Sequence, residues 1–158
     1  MRKEFGKWIA ETAEKDPLII LITGDIGFQV FDDYRRRFPK RFLNLGICEQ
    51  SIISIASGMA LEGLKPYVYT ITPFLIERPF EQIKLDLDEQ NTNVKLIGYA
   101  DYPKQGPTHR TLNERGLMSL LNNFANYFPR DSQETRQFLD ESYAHGKPTF
   151  ISLKSNPI

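Results

Sequence analysis

A three-layer α/β/α fold around a mostly parallel central sheet is predicted by three observations. Short runs of β-branched and aliphatic residues recur along the chain, segments with helical spacing separate them, and turn residues close most of the runs. Strands joined through helices pair in parallel and form a sheet covered on both faces. The 158 residues suffice for one core, so residues 1–158 are read as a single domain.

The elements follow in order. Phe5, Trp8, Ile9 and Thr12 fall on one helical face. PLIILITGD (17–25) is a buried strand ending in turn residues, and VFDDYRRRFP (30–39) a short helix stopped at Pro39. RFLNL (41–45) is a second strand, and EQSIISIASGMALEG (49–63) a helix closed near Gly63. KPYVYTI (65–71) is a strand, RPFEQIKLDLDEQN (78–91) a helix and NVKLIGYA (93–100) a strand. NERGLMSLLNNF (113–124) reads as a helix, as does DSQETRQFLDESYA (131–144), where Asp131 or Ser132 caps the first turn. PTFISLK (148–154) is the last strand.

Composition narrows the function. Lys+Arg and Asp+Glu number 20 each, so no basic surface recommends nucleic acid or an anionic membrane. The single cysteine, Cys48, permits no intramolecular disulfide. With no signal-peptide pattern in MRKEFGKWIAETAEKD, a reducing cytoplasm is expected. No apolar run approaches the roughly 18 residues of a membrane span. Two histidines, His109 and His145, are too few for a self-contained zinc site, and no metal ligand is assigned to the chain.

In such sheets ligands gather at the carboxyl ends of the strands. Three loops leave those ends: TGDIG (23–27), GICEQ (46–50) and YPKQGPTHR (102–110). Glu49 stands at the seam of a strand and an apolar helix. It reads either as a first-turn acid favoured by the helix dipole or as a carboxylate held out of water to share a proton with a ligand nitrogen. Asp25 reads as a turn former or cap. His109 is either a solvated loop histidine or a donor to hydroxyls of a sugar or keto acid. Arg110 and Lys104 beside it suit a phosphate or carboxylate. Phe74 follows a strand end, where an aromatic serves as core or as stacking partner. Cys48 reads as a small buried residue.

Together, DDYRRRFPKRFLNLGICEQSIISIASGMALEG, RPFEQIKLD and NVKLIGYADYPKQGPTHR resemble, in this order and spacing, the pyrimidine-binding domain of transketolase and of 1-deoxyxylulose-5-phosphate synthase. The resemblance runs from about residue 17 to 154, and the GICEQ and GPTH motifs at this separation are its most specific part. It implies that Glu49 hydrogen-bonds N1′ of the thiamine diphosphate aminopyrimidine. That bond favours the imino tautomer that takes the proton from the thiazolium carbon. Phe74, or else Leu75, matches the ring that stacks on the pyrimidine. Phe74 is preferred because a ring stacks and an alkyl chain does not. Ile47 and Asp25 join Glu49 and Phe74 as cofactor-contact candidates. His109 matches the histidine facing donor-substrate hydroxyls, and Arg110, Lys154 and Gln105 complete the substrate-contact candidates.

Four departures accompany the resemblance. GDIG lacks the later asparagine of the family's Mg²⁺–diphosphate loop, Asn44 being too close and inside a strand, so no diphosphate-binding domain is read in this chain. The family's third domain is not found after LKSNPI. Gln105 replaces an acid before GPTH. Lys154 replaces a phosphate-contacting arginine, keeping the charge without the bidentate fork. The expectation is therefore a pyrimidine-binding subunit of a split transketolase-like enzyme. A separate chain holds the diphosphate and Mg²⁺, the assembly is α2β2, and the reaction is ketol transfer on a sugar or sugar derivative. The rivals are a component of an acyloin synthase or 2-keto acid decarboxylase, a non-catalytic stabilising module, and a fragment of a longer chain.

Overall fold

Among the described residues, six strands form one parallel sheet in the order β2-β1-β3-β4-β6-β5. The computed structural model describes residues 1–102, 106–111 and 113–155. The strands are β1 Ile19–Thr23, β2 Phe42–Asn44, β3 Lys65–Ile71, β4 Lys95–Tyr99, β5 Ala125–Tyr127 and β6 Thr149–Leu153. The helices are α1 Arg2–Lys15, α2 Asp32–Arg37, α3 Glu49–Leu61, α4 Thr72–Ile76, α5 Phe80–Gln82, α6 Glu114–Met118 and α7 Ser132–His145. A π-helical segment, Ile83–Asp88, carries α5 onward.

Strand periodicity sorts the core into two layers. On β1 and β3, Ile19, Leu21, Tyr67 and Tyr69 pack against Phe5, Trp8 and Ile9 of α1 and Leu139 of α7. The alternate residues Ile20, Ile22 and Val68 meet Ile52, Ile53 and Ala56 of α3, Leu75 of α4 and Leu87. Both faces are covered, as the sequence predicts. The chain reverses direction across the sheet after β1, since β2 and β3 flank it on opposite sides. The crevice outside the carboxyl ends lies at such a switch point.

Three expectations need correction. The helix expected over 113–124 stops at Met118. Buried Asp88 holds the turn that follows, accepting from the backbone N–H of Asn122 at 3.1 Å and of Asn123 at 2.7 Å. The chain released there forms β5, a sixth strand where the sequence predicts none. The helix expected over 78–91 begins at Phe80 and is largely π-helical. Just before it sits α4, with Pro73 in its first turn, where a missing N–H costs nothing. Gly98 lets α4 lie close on β4: a Cβ there would sit 2.5 Å from Thr72 Oγ1. No helix among the described residues is long and apolar enough to cross a membrane.

Candidate functional site

The loop between β2 and α3 turns at Gly46, whose φ of +78° is open to glycine and strained for other residues. The GDIG loop comes close here, because a Cβ on Gly24 would lie 3.3 Å from the Gly46 carbonyl. Three residues beyond Gly46, Glu49 opens α3. The helix dipole favours an acid at that position. A surface capping acid would stay in water, however, and Glu49 is only 4% exposed. Its Oε1 accepts a hydrogen bond from Arg78 Nη1 at 3.1 Å.

Arg78 comes from the end of the segment that α4 begins, four residues after Phe74. Arg78 lies in the turn that follows α4, which folds its side chain back over Phe74. The guanidinium carbon sits 3.7 Å from the Phe74 ring centroid. Phe74 itself is half-buried, whereas Leu75 turns into the core at 1% exposure. Of the two candidates for a stacking residue, Phe74 therefore keeps its ring partly exposed, between Arg78 and His109, and Leu75 is committed to packing.

The loop after β4 closes the group. His109, in the short 3₁₀ turn Pro107–His109, packs edge-on to Phe74 with centroids 4.7 Å apart. Its other neighbour is Tyr102, stacked at 5.6 Å. Thr108 Oγ1 lies 3.0 Å from His109 Nδ1. Glu49, Arg78, Phe74, His109 and Tyr102 thus form one unbroken run of contacts drawn from the loops after β2, β3 and β4. Tyr102 also meets Tyr99 edge-on, and Arg2 covers the Tyr99 ring at 3.9 Å.

The other described sequence candidates are not among the contacts of that run. Asp25 is exposed, has a φ of +56°, and exchanges hydrogen bonds with Asn44: its N–H donates to Asn44 Oδ1 at 2.9 Å and its Oδ1 accepts from Nδ2 at 3.2 Å. That is the turn-forming reading, a clasp between the ends of β1 and β2. Ile47 stands 71% exposed on the GICEQ loop. Arg110 is exposed. Lys154 borders a separate cavity of about 270 Å³, together with Asp101, Thr111, Glu114 and Arg115. Burial pushes the Glu114 carboxyl up, against the hydrogen bond from Ser152 and the charges of Lys154 and Arg115. Gln105 and Lys104 lie outside the described residues. Cys48 donates to the Leu45 carbonyl at 3.1 Å, in keeping with a small packing residue. Arg78 lies inside the RPFEQIKLD segment but is not among the candidates drawn from sequence. Its four-residue offset from Phe74 was the signal available.

A family model described as transketolase, pyrimidine binding domain, matches residues 1–156. The chain belongs to the transketolase pyrimidine-binding family. Among relatives, an apulose-4-phosphate transketolase subunit of Actinobacillus succinogenes is 37% identical over 121 residues, covering 75% of this chain and 39% of the relative. The 1-deoxy-D-xylulose-5-phosphate synthase of Acinetobacter baumannii is 32% identical, over 93% of this chain and 23% of the relative. A solved structure described as a split gene transketolase, inactive beta4 tetramer, superposes with a TM-score of 0.89 at 28% identity, covering 99% of this chain and 51% of that one. The chain spans about half or less of the length of these family members.

Proposed function

We propose that this chain supplies the pyrimidine-binding half of a transketolase-like, thiamine diphosphate-dependent enzyme. The observation that carries the reading is a carboxylate, Glu49, shielded from water beside an aromatic face, Phe74, at the carboxyl ends of a parallel sheet. The slot between them accommodates a flat, N–H-bearing group, since a guanidinium rests there and donates to Glu49. An aminopyrimidine is flat in the same way, and its ring nitrogen would accept from Glu49 in the protonated form where the guanidinium donates to the carboxylate. When bound, thiamine diphosphate supplies the carbon nucleophile for breaking or making a C–C bond beside a ketone.

The chain's own residues take the following parts. Glu49 holds a proton toward the ring nitrogen of the pyrimidine, in surroundings that exclude water and strengthen the hydrogen bond. Phe74 orients the ring by stacking. His109, against Phe74, donates to hydroxyls of the sugar donor, and Arg110 or Lys154 meets its phosphate, with Gln105 in the same loop. Ile47 and Asp25 border the cofactor from the loops after β2 and β1.

The diphosphate and its Mg²⁺ are assigned to a separate subunit in an α2β2 heterotetramer. The names of a transketolase subunit and of a split-gene transketolase among the relatives support a divided enzyme. The reaction is placed in the cytoplasm, as two-carbon ketol transfer on a sugar or sugar derivative.

The test pairs this chain with a diphosphate-binding chain encoded beside it. The mixture should consume ketose phosphates only when both chains, thiamine diphosphate and Mg²⁺ are present. Turnover of pyruvate-like donors alone would move the reading to an acyloin synthase or decarboxylase. Calorimetry on this chain by itself should show weak cofactor binding. Tight, Mg²⁺-dependent binding would overturn the divided site.

A further inference from the structure

We infer that Arg78 is a built-in occupant of the pyrimidine slot, and that the aminopyrimidine enters by displacing it. The inference rests on the functional reading above. A guanidinium is planar, delocalised and edged with N–H donors, and it stacks on aromatic faces. An aminopyrimidine shares the plane and the stacking face, and it meets the same carboxyl group through a ring nitrogen that accepts where the guanidinium donates. Arg78 uses both surfaces that such a ring needs: the Phe74 face at 3.7 Å and the Glu49 carboxylate at 3.1 Å. Two flat groups cannot lie on the same ring face and hydrogen-bond to the same carboxyl group, so cofactor and guanidinium compete.

Arg78 is built to yield. Its side chain is 39% exposed where that of Glu49 is 5% exposed. Rotation about its side-chain bonds carries the charged head into water without moving α4 or the sheet. Glu49, fixed in the first turn of a 13-residue helix, cannot retreat in the same way. The pair therefore has one mobile member and one fixed member, and the fixed member is the one the chemistry needs. Until a ligand arrives, the arginine supplies the countercharge that a shielded carboxylate requires.

A slot that is closed most of the time weakens apparent affinity by the fraction of time it stands open. The test uses the chain itself, titrated with thiamine lacking the diphosphate and followed by NMR. Arg78→Met should bind thiamine about tenfold more tightly than the wild type, as for a slot open roughly a tenth of the time. Arg78→Lys, which keeps the charge and loses the plane, should fall between them. On saturation of the wild type, the Arg78 Nε–H resonance should move to the position of a solvated arginine.

A residue that merely shaped the site would give the opposite sign, with Arg78→Met weakening binding. Equal or weaker binding by a folded Arg78→Met chain overturns the inference and leaves the functional reading standing. Absence of thiamine binding at millimolar concentration in all forms overturns the inference, whereas the functional reading falls only if the reconstituted enzyme shows no thiamine diphosphate-dependent turnover. Arg78→Gln, a planar neutral side chain, guards against misfolding of the methionine variant and should also bind more tightly than the wild type. Removing Glu49 as well should abolish the gain, because the competition is for its carboxylate.

Discussion

The two ends of the sheet treat buried charge differently. At the amino end, Lys65 Nζ donates to Asp16 Oδ2 at 2.6 Å, Tyr143 Oη donates to the same oxygen at 2.8 Å, and Asp16 Oδ1 accepts from the Leu18 N–H at 2.9 Å. Nearby Lys95, 2% exposed, donates to the Lys147 carbonyl at 2.6 Å and reaches Thr149 Oγ1 at 3.3 Å. These groups are held by several partners fixed in the fold. At the carboxyl end, the shielded Glu49 meets an arginine that is substantially open to water. Full satisfaction makes a scaffold, and a single replaceable partner leaves a place for a ligand. The two carboxylates, Asp16 and Glu49, are both buried, so the number and permanence of their partners are what separate architecture from site.

The contrast can be broken most severely at Glu49. In the reconstituted enzyme, Glu49→Ala should lower the rate by about 10²–10⁴-fold, the range for loss of a positioned proton donor. Circular dichroism and melting temperature should stay near wild type. A twofold loss would remove the carboxylate from the chemistry.

His109→Ala comes next. It should reduce kcat/KM for the sugar donor by about tenfold, in line with one lost hydrogen bond to substrate. Steady-state kinetics with several donors would check it, and unchanged constants for all of them would place His109 outside the substrate site.

At the amino end the effects should appear in stability, with activity following only as the fold is lost. Burial works against the Asp16 carboxylate, yet hydrogen bonds from Lys65, Leu18 and Tyr143 hold it below the usual carboxylate range. A depressed acid stabilises the fold above its unfolded pKa and loses that contribution as pH falls through the folded value. Asp16→Asn should therefore cost about 2 kcal/mol at pH 7, or about 4–8 °C in Tm. The gap from wild type should narrow below about pH 4. Calorimetric melts at several pH values would show it, and a gap independent of pH would deny the ion pair its role.

Lys95 gives the smallest expected change and the opposite sign. Burial, reinforced by the charge of Lys65, pushes its ammonium down to about 7 from 10.5. The unfolded chain binds the extra proton between those values, so wild-type stability rises with pH across that window and carries the full penalty below it. Lys95→Met should gain about 1 kcal/mol at pH 7 and flatten the rise. Thr149 Oγ1 still donates to the Lys147 carbonyl at 3.0 Å, which keeps that acceptor satisfied. A methionine variant that melts lower at neutral pH would show that the lysine is worth more as a donor than it costs as a charge.

The inner strands were legible because β1, β4 and β6 are buried along their whole length and are rich in aliphatic and aromatic residues. The edge strand β5, three half-buried residues reading Ala-Asn-Tyr, carries no such pattern and exists through pairing with β6. Its helix-like neighbour sequence was cut short by Asp88, a residue more than thirty positions away along the chain, and local periodicity holds no trace of that. Lys95 was equally opaque, because a lysine at a strand start normally reaches solvent. In the candidate site, Glu49, Phe74 and His109 were visible through the loops and motifs they occupy. Their convergence follows from parallel strands that send those loops to one end. The pairing of Arg78 with Glu49 joins two elements 29 positions apart and leaves no mark in local sequence pattern.

The five-residue helix α4 has one last consequence. Neighbouring positions on a helix point about 100° apart, so Phe74 stays partly exposed beside Arg78 and His109 because Leu75 is anchored inward. Adding or deleting a single residue between β3 and Phe74 would turn that key in its lock, presenting leucine outward and driving the ring into space shaped for leucine. Length in this short connection is as strictly specified as any side chain.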